Sequence, residues 1–464
     1  MPLILGANSV TGGYEIDNSL RFNSGSSDSL TKTTTTPDNR DKLTLSAWFK
    51  ISSSSTSQEI FGFYGSNDYF TVRASNSNRI DVILYDGSAI SRLITTQLLR
   101  DFSAWYHIVV VVDSANATAD DRVKIYLNGN QITSFSTRTN PSQNQDFILS
   151  TLTTTGIGIN TDQVGGVSRF NGYISEAFYI DNQALDPTSF GEFDSDTGIW
   201  KPIAYTGTFG TAGFYLEFKD SSALGDDTSG NGNDFTVNNL TSIDQTTDTP
   251  TNNFCTLNPL LDVYNPVIFS NGNLTATGSG SGDGRYAFGS IPVANGKWYY
   301  EVKVTVSGSN PYVGILDSQS TLRRNSLYYV DSASGTNQSG YAVNMTGDIY
   351  HDNSNTYAPN IGSISTGNIL GFAIDLDSAT RTLEIYKNGV SQTSFSIDAP
   401  NSGFYILAGI LIYNLPSASA DINFGNPPFA ITTGNADANG YGNFEHAVPP
   451  GYYALCTANL AEYG

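Results

Sequence analysis

The sequence is short of charged residues, and above all of basic ones. Only 14% of its 464 residues are charged, and 43 Asp and Glu face 22 Lys and Arg, which gives a formal net charge of −21. An average soluble domain is about 25% charged. Phosphate backbones and anionic lipid bind clustered Lys and Arg and are repelled by excess acid. We therefore expect no nucleic acid partner and no membrane insertion.

Disulfide-forming cysteines and long apolar runs are missing as well. The two cysteines, Cys255 and Cys456, cannot form a disulfide framework. The first residues (MPLILGAN) lack the basic region and the length of a secretory signal, and no apolar run approaches the roughly 18 residues of a membrane span. These absences predict a soluble protein that is made in a reducing compartment without a signal peptide.

Small polar residues, in contrast, are abundant. Ser, Thr, Asn and Gln make up about a third of the chain, and they favour turns and caps over helix interiors. Between them lie short runs of β-forming residues, such as 43–51 (LTLSAWFKI) and 123–127 (VKIYL). The second run is followed by Asn128-Gly129, which is typical of a type I′ hairpin turn. Since no helical pattern separates the strands, the sequence predicts an all-β protein of antiparallel β-sandwiches, or jelly rolls.

The second half of the chain repeats this pattern. Residues 297–306 (KWYYEVKVTV) alternate, which predicts the valines on a buried face and Glu301 on a wet one. Asn388-Gly389 predicts a second hairpin turn. Between the halves, a stretch rich in Asp, Asn and Thr indicates a polar connector, extended and solvated over 242–253. The predicted organisation is an N-terminal docking arm at 1–12, a sandwich at 13–219, the connector at 220–265 and a second sandwich at 266–464.

Three stretches of the first half resemble the signature strands of a laminin G or concanavalin A-like jelly roll. They are 43–50 (LTLSAWFK), 105–135, which runs from WYHI to the YLNG hairpin, and 170–185 (FNGYISEAFYIDNQAL). The resemblance implies the fold of the first sandwich and does not specify a ligand. A fourth stretch, 214–239, is similar to the opening of another laminin G unit, but no complete second unit follows it.

The second half resembles a SPRY domain of the B30.2 class over residues 269–456. Five stretches carry the resemblance in the family's order: GKWYYEVKV at 296–304, YVGILD at 312–317, GYAVNMTGDIY at 340–350, LGFAIDLDSATRTLEIYKNGV at 370–390 and INFGNPPF at 422–429. The tandem of the two domains, with the start PLILGANSV, is similar to structural and fibre-like proteins of marine and cyanobacterial phages.

This similarity implies a non-enzymatic protein of the virion surface, such as a tail fibre, that binds a host-surface glycan or protein through its sandwich loops. It also implies synthesis in the host cytoplasm, contacts with other virion proteins, and a homo-oligomer in which a trimer is favoured. Two alternatives stay open. One is a capsid decoration or adaptor protein without a ligand, and the other is a carbohydrate-active enzyme.

Residues that could support catalysis are sparse. Glu15 and Asp17 begin the Glu-x-Asp-x-x-Glu strand of laminarinase-like enzymes, but no second Glu follows them. The three histidines, His107, His351 and His446, are far apart in the sequence and lie in no zinc-binding or triad pattern. We therefore expect no catalytic site and no required cofactor.

One acidic loop offers candidate calcium ligands. The stretch DTSGNGND at 227–234 loosely matches the first positions of a calcium loop, but it lacks the closing bidentate Glu. The alternative is a solvated turn that satisfies its own backbone. The candidate ligands are Asp227, Ser229, Asn231, Asn233 and Asp234.

Tyrosine is the other abundant residue with binding chemistry. The chain has 27 Tyr, and a tyrosine ring can stack on the apolar face of a sugar while its hydroxyl forms hydrogen bonds. Trp48, Trp105 and Trp298 lie within strand patterns and are expected in the core. The candidate contact residues lie in predicted turns and loops: Tyr64, Asp68, Tyr69, Tyr328, Tyr329, Tyr350, His351 and Asp352.

Overall fold

The computed structural model describes residues 13–53, 56–162, 166–261, 267–278, 285–306, 311–317, 340–351, 357–400, 403, 405–412 and 418–464. The predicted docking arm at 1–12 lies outside these residues. The chain divides into two compact units between Thr251 and Asn252. Regular structure is almost entirely β, and within the described residues no helix is long and apolar enough to cross a membrane.

The N-terminal unit is a sandwich of two antiparallel sheets. Its strands are β1 (Ser19–Phe22), β2 (Ser29–Thr33), β3 (Lys42–Ile51), β4 (Gln58–Tyr64), β5 (Tyr69–Ala74), β6 (Ile80–Tyr85), β7 (Ile90–Thr95), β8 (Tyr106–Asp113), β9 (Val123–Leu127), β10 (Asn130–Gln131), β11 (Phe135–Thr139), β12 (Thr154–Ile157), β13 (Ile159–Asp162), β14 (Gly166–Arg169), β15 (Gly172–Asp181), β16 (Gly191–Phe193), β17 (Trp200–Pro202), β18 (Phe214–Leu216), β19 (Thr236–Asn238) and β20 (Gln245–Thr246). Sheet A has the order β10-β9-β8-β3-β15-β1-β20, with β18 beside β15, and sheet B has the order β11-β7-β6-β5-β4-β12-β2-β19.

Alternation along these strands builds the core between the two sheets. In β3, Leu45, Ala47 and Phe49 face the core, and in β5 Phe70 and Val72 face it from the opposite sheet. Successive side chains of a strand point to opposite faces, so each strand contributes every second residue to this interior. The predicted class of antiparallel β-sandwich is therefore confirmed for this unit.

The outer face of sheet A is buried as well, by the chain that follows β15. Trp48, Trp105, Tyr173 and Trp200 form an apolar cluster with Ile16 on this face. A second cluster on the same face includes aromatic side chains from strand β15 and from the segment after it. Trp48 and Trp105 are thus buried as expected, but they lie in this second layer and not between the sheets.

The segment predicted as a connector at 220–265 belongs to the N-terminal unit as far as residue 251. Strand β19 pairs with β2, and β20 pairs with β1. Asp248 is fully buried and accepts hydrogen bonds from Lys50 Nζ at 2.8 Å and from Trp105 Nε1 at 2.9 Å. The prediction of a solvated linker was wrong here because polar composition does not show whether polar groups meet water or one another.

The predicted hairpin turn between β9 and β10 has a second function in packing. Asn128 and Gly129 have φ values of 48° and 75°, as a type I′ turn requires. A Cβ atom on Gly129 would lie 2.3 Å from the Trp200 ring. The glycine therefore allows the turn and also lets Trp200 close over the outer face of sheet A.

The C-terminal unit is a second sandwich. Its elements are β21 (Val267–Ser270), β22 (Thr275–Gly278), β23 (Arg285–Ala287), β24 (Pro292–Val293), β25 (Lys297–Val306), β26 (Pro311–Asp317), β27 (Gly340–Val343), β28 (Ile349–Tyr350), β29 (Ile369–Asp375), β30 (Thr382–Lys387), β31 (Val390–Ser396), β32 (Tyr405–Ile412), β33 (Ser419–Asn423), β34 (Tyr453–Ala454) and the short helix α1 (Thr457–Tyr463). One sheet has the order β21-β22-β33-β25-β29-β30-β31, with β34 parallel to β25, and the other has β23-β32-β26-β27-β28, with β24 beside β32.

The β25 face that was predicted to be wet is covered by the last part of the chain. Glu301 is fully buried and accepts hydrogen bonds from the backbone N–H groups of Glu445 at 2.9 Å and His446 at 2.8 Å. Tyr299 and Phe444 pack edge to face beside it. The prediction was wrong because alternation shows that the two faces of a strand differ, and not which later segment covers them.

We expect Gly129→Ala to destabilise the protein more than Gly232→Ala. Both glycines have positive φ, and left-handed backbone costs an alanine roughly 1 kcal/mol at either site. A Cβ at Gly232 meets nothing within 4 Å, whereas at Gly129 it meets Trp200; overpacking of this kind costs about 1–3 kcal/mol more. Thermal unfolding followed by circular dichroism measures both variants, and equal losses would contradict the packing of Trp200 on this turn.

Candidate functional site

The face of sheet B that points away from the core carries a row of tyrosines. Tyr64, Tyr69 and Tyr85 are direct cross-strand partners on β4, β5 and β6. Phe63 and Phe70, next to them in the chain, belong to the core, so alternation directs the tyrosines outward. The Tyr69 and Tyr85 rings have centroids 5.7 Å apart. The row therefore runs across the strands with one ring on each.

An apolar residue on β7 continues this row. Ile90 is the cross-strand partner of Tyr85 and is 45% exposed. Tyr69 and Tyr85 are half-buried, whereas Tyr64 is only 8% exposed. The accessible part of the row consists of Tyr69, Tyr85 and Ile90, and we call these three residues the platform.

A network of ionic side chains lies on the same face. Arg73 donates to Asp81 at 3.1 Å and to Glu59 at 3.3 Å, and Arg92 donates to both oxygens of Asp81 at 3.0 and 2.8 Å. The Thr71 hydroxyl also donates to Glu59. Burial raises the pKa of Glu59 to about 7, although Arg73 opposes the shift. Both arginines are therefore paired with acidic partners of the same face.

Two turns border the platform, one between β4 and β5 and the other between β6 and β7. In the first, Asp68 is 8% exposed and accepts a hydrogen bond from the Thr151 hydroxyl, and burial raises the pKa of its carboxyl group. In the second, Asp86 Oδ1 accepts from the backbone N–H groups of Ser88 at 3.0 Å and Ala89 at 2.7 Å. Acidic side chains thus hold both turns in shape beside the platform.

The structure brings part of the predicted contact set together and adds residues that sequence reasoning missed. Alternation in IDVILY at 80–85 was an available signal, since it places Tyr85 on the same side as Asp81. Only the register between strands, however, puts Tyr85 beside Tyr69. Tyr64, Asp68 and Tyr69 were predicted and lie here, and the additions are Tyr85, Ile90 and Arg92.

Of the predicted contacts of the C-terminal unit, two pack against neighbouring aromatic side chains and three lie outside the described residues. Tyr350 packs edge-on against Tyr312, with ring centroids 5.1 Å apart. His351 is 5% exposed, stacks on Tyr341 at 4.1 Å and hydrogen-bonds the Gly340 carbonyl through Nδ1 at 3.1 Å. His351 is therefore a packed side chain and not a surface contact. Tyr328, Tyr329 and Asp352 lie outside the described residues.

His107 is held in a tautomer that cannot act as a base toward its neighbour. Its ring lies between those of Trp48 and Trp200, and its Nδ1 is 3.0 Å from Trp200 Nε1. An indole N–H can only donate, so Nδ1 accepts and Nε2 carries the proton, which it donates to Ser46 Oγ at 2.9 Å. Burial also lowers the pKa of His107 to about 3. The pair of Ser46 and His107 is therefore not an activated nucleophile.

Glu176 interrupts β15 at a bulge. Its φ is 51°, and the pairing of β15 with β3 shifts between Ser175 and Phe178. The carboxylate accepts hydrogen bonds from the Tyr215 hydroxyl at 2.6 Å and the Tyr14 hydroxyl at 3.1 Å. Burial raises the pKa of Glu176 to about 7. The Glu176 side chain is thus buried under two tyrosine hydroxyl groups that hydrogen-bond it, so its contacts are those of a residue that packs the fold.

The two carboxylates that were compared with the catalytic strand of laminarinase-like enzymes do not lie on a strand. Glu15 and Asp17 are exposed, and Ile16 between them is buried, but β1 begins only at Ser19. These two carboxylates therefore precede the strand, and no second Glu follows them in β1 to complete the pair of a glycosidase.

The predicted calcium loop is organised by its own hydrogen bonds. Asp227 accepts from the backbone N–H groups of Tyr215 at 2.9 Å, Ser229 at 3.0 Å and Asn233 at 2.8 Å. Asn233 Oδ1 accepts from Lys32 Nζ at 2.6 Å. Burial lowers the pKa of Lys32 to about 8, and the nearby acids oppose this shift. The Lys32 ammonium group thus occupies one of the oxygen atoms that was predicted to bind calcium.

The other two predicted ligands are also engaged within the unit. Asn231 Nδ2 donates to the Gly213 carbonyl at 2.9 Å, and Asp234 Oδ1 accepts from the Asp227 backbone N–H at 3.0 Å. This arrangement is that of a turn satisfying its own backbone. In the described part of the chain, no group of three or more His, Cys, Asp and Glu side chains is placed to hold a metal ion.

Two family profiles match the chain, one in each unit. Residues 23–189 match the concanavalin A-like lectin/glucanases superfamily in its laminin G form, and residues 297–427 match the SPRY domain. The chain therefore contains a concanavalin A-like domain followed by a SPRY domain, and this part of the sequence prediction is confirmed. Such a pair of domains is typical of a binding or structural role.

Three solved structures resemble the chain at low sequence identity. The SPRY domain of human HERC1 is 16% identical over 36% of this chain and 96% of its own, with a TM-score of 0.30. Domains LG4-5 of the mouse laminin alpha1 chain are 10% identical over 89% of this chain and 90% of their own, with a TM-score of 0.32. A heptameric SAP-like pentraxin from Limulus polyphemus is 19% identical over 37% and 80%, with a TM-score of 0.28. Likenesses at this level carry no information on ligand or partner.

We expect calcium not to stabilise the protein through the loop at 227–234. Asp227→Ala removes the acceptor of several backbone N–H groups, each worth about 1 kcal/mol, so it should lower the melting temperature equally in millimolar calcium and in chelator. Differential scanning fluorimetry measures both conditions. A saturable rise in melting temperature with calcium that Asp227→Ala abolishes would contradict this expectation.

We expect the free energy of unfolding to fall as the pH rises from about 4.5 to 7. The pKa of Glu59 is raised from 4.5 to about 7 in the folded protein, so unfolding releases its proton across this interval and becomes easier as the pH rises. The raised pKa of Glu59 should account for a fall on the order of 1–3 kcal/mol in the free energy of unfolding over this interval, and Glu59→Gln should remove this part of the fall. Urea unfolding at several pH values tests this. The exposed Glu15→Gln is the control, and an unchanged slope in Glu59→Gln would refute the assignment.

Proposed function

We propose that the protein is a non-enzymatic binding protein of a virion surface, and that its N-terminal unit binds a host-surface glycan through the outer face of sheet B. The observation that carries this proposal is the asymmetry of the N-terminal sandwich. Trp48, Trp200 and their neighbours close the outer face of sheet A, whereas sheet B keeps the platform accessible.

The chemistry of the platform suits a sugar. A pyranose ring has an apolar face, which stacks on aromatic side chains, and a rim of hydroxyl groups, which need polar partners. Tyr69 and Tyr85 supply the rings. Arg92, whose side chain is 34% exposed, and the acidic turns supply polar groups beside them. The arrangement suits a recognition surface, and in the described residues no group of three or more His, Cys, Asp and Glu side chains is placed to hold a metal ion.

The location on a virion rests on the resemblance of the tandem to phage structural proteins. The same resemblance supports contacts with other virion proteins and a homo-oligomer, with a trimer favoured. A capsid decoration protein would share the fold but need no ligand, and a carbohydrate-active enzyme would cleave the glycan that it binds. Adsorption and cleavage assays on host cells separate these three functions.

We expect Tyr69→Ala and Tyr85→Ala each to weaken glycan binding by about 5- to 10-fold, since an aromatic contact contributes about 1 kcal/mol. Tyr441→Ala, which removes an exposed tyrosine of the C-terminal unit, is the control and should bind normally. Binding of the purified full chain to a glycan array and to host cells measures the effect, with thermal unfolding of each variant in parallel.

Three results would count against the proposed function. Purified protein that binds no glycan and does not compete with phage adsorption would favour the decoration protein. Release of soluble sugars from a host polysaccharide would favour the enzyme. Glycan binding that survives both tyrosine substitutions would place the site elsewhere on the chain.

A further inference from the structure

The platform has a defined direction and length. Tyr69, Tyr85 and Ile90 are successive cross-strand partners on β5, β6 and β7. Neighbouring strands are about 4.8 Å apart, so the platform extends about 10 Å across the sheet. One pyranose ring covers one such position, and the next rings of an extended sugar chain can cover the next positions. A compact terminal sugar would use only part of it.

The charges of this face indicate which sugars it accepts. Arg73 and Arg92 are both held by Asp81, and Arg73 is also held by Glu59. An anionic sugar would have to compete with these carboxylates for the guanidinium groups, against a chain of net charge −21. A neutral sugar needs only hydrogen bonds to the outer edges of the network. The face therefore favours uncharged ligands.

The polar groups lie on both sides of the row. Arg92 follows Ile90 by two residues on β7 and so projects from the same face of the sheet. The turns that contain Asp68 and Asp86 lie at the other side, where β4 and β6 end and β5 and β7 begin. A flat sugar chain on the platform would thus have hydroxyl partners along both of its edges.

We propose that the platform binds an uncharged, unbranched polysaccharide segment laid across the strands, with one pyranose ring on each of Tyr69, Tyr85 and Ile90. This inference rests on the proposed function and names the class of glycan that the site takes. It requires at least three linked sugar units for full affinity, because three consecutive positions have to be filled.

Chain length is the variable that tests this binding mode. Isothermal titration of the full chain with cello-, laminari-, manno- and xylo-oligosaccharides of one to six units would measure it, with oligogalacturonates as the anionic series. We expect affinity for one of the neutral series to rise several-fold with each unit up to three units and then to level off. The anionic series should bind more weakly than the neutral one.

Single substitutions then assign the positions along the chain. In Ile90→Ser the gain from the second to the third unit should disappear while shorter sugars bind normally. Because Ile90 is 45% exposed, we expect the change to cost little stability, and thermal unfolding of the variant checks this. In Tyr85→Ala the affinity should no longer rise when the sugar is lengthened beyond one unit. Tyr441→Ala is the control that should keep the whole length dependence.

The outcomes separate this inference from the proposed function. Equal affinity for a single sugar and a trisaccharide, preference for the anionic series, or unchanged length dependence in Ile90→Ser would overturn the linear neutral ligand and leave glycan binding in place. Absence of binding to every glycan, on host cells as well as in the series, would overturn both. If a chelator abolishes glycan binding, a bound cation and not the side chains of the platform contacts the sugar hydroxyl groups, and the proposed binding mode is overturned.

Discussion

The closed outer face of sheet A is the constraint on which the N-terminal unit depends. Trp48, His107 and Trp200 stack over this face, and Lys50 and Asp248 form an ion pair in which both side chains are at most 1% exposed. A buried ion pair is strongly destabilising if one partner is lost, so the end of the unit is held to the sheet. Sheet A is covered on both sides, whereas the outer face of sheet B keeps Tyr69, Tyr85 and Ile90 accessible.

Several of the acidic residues are buried where their carboxylates accept hydrogen bonds from backbone N–H groups. Asp181 accepts hydrogen bonds from the backbone N–H groups of residues 38, 39 and 212. Asp437 does the same for those of residues 439, 441 and 454. Carboxylates with two oxygens can satisfy several N–H groups where loops meet. Part of the excess of acid over base is thus built into the loops and does not form a catalytic or ion-binding site.

Local features of the fold were predictable from sequence because their causes are local. Asn128 and Gly129 tolerate positive φ, so their hairpin follows from the dipeptide itself. The strands follow from alternation, and both domain families follow from short stretches in a fixed order. The burial of Asp248 in the predicted connector and of Glu301 in β25 could not be predicted. Both are covered by segments far away in the chain, and the residues next to them in the sequence do not indicate such contacts.

The sequence by itself determined the all-β class, the tandem of two sandwiches, and the supply of tyrosine and small polar residues. Only the tertiary structure decided which tyrosines lie side by side. Tyr69 and Tyr85 stand side by side because β5 and β6 pair in one register, and a shift of one residue would turn one of them into the core. Register depends on packing across the whole sheet, so the composition of a single strand cannot reveal it.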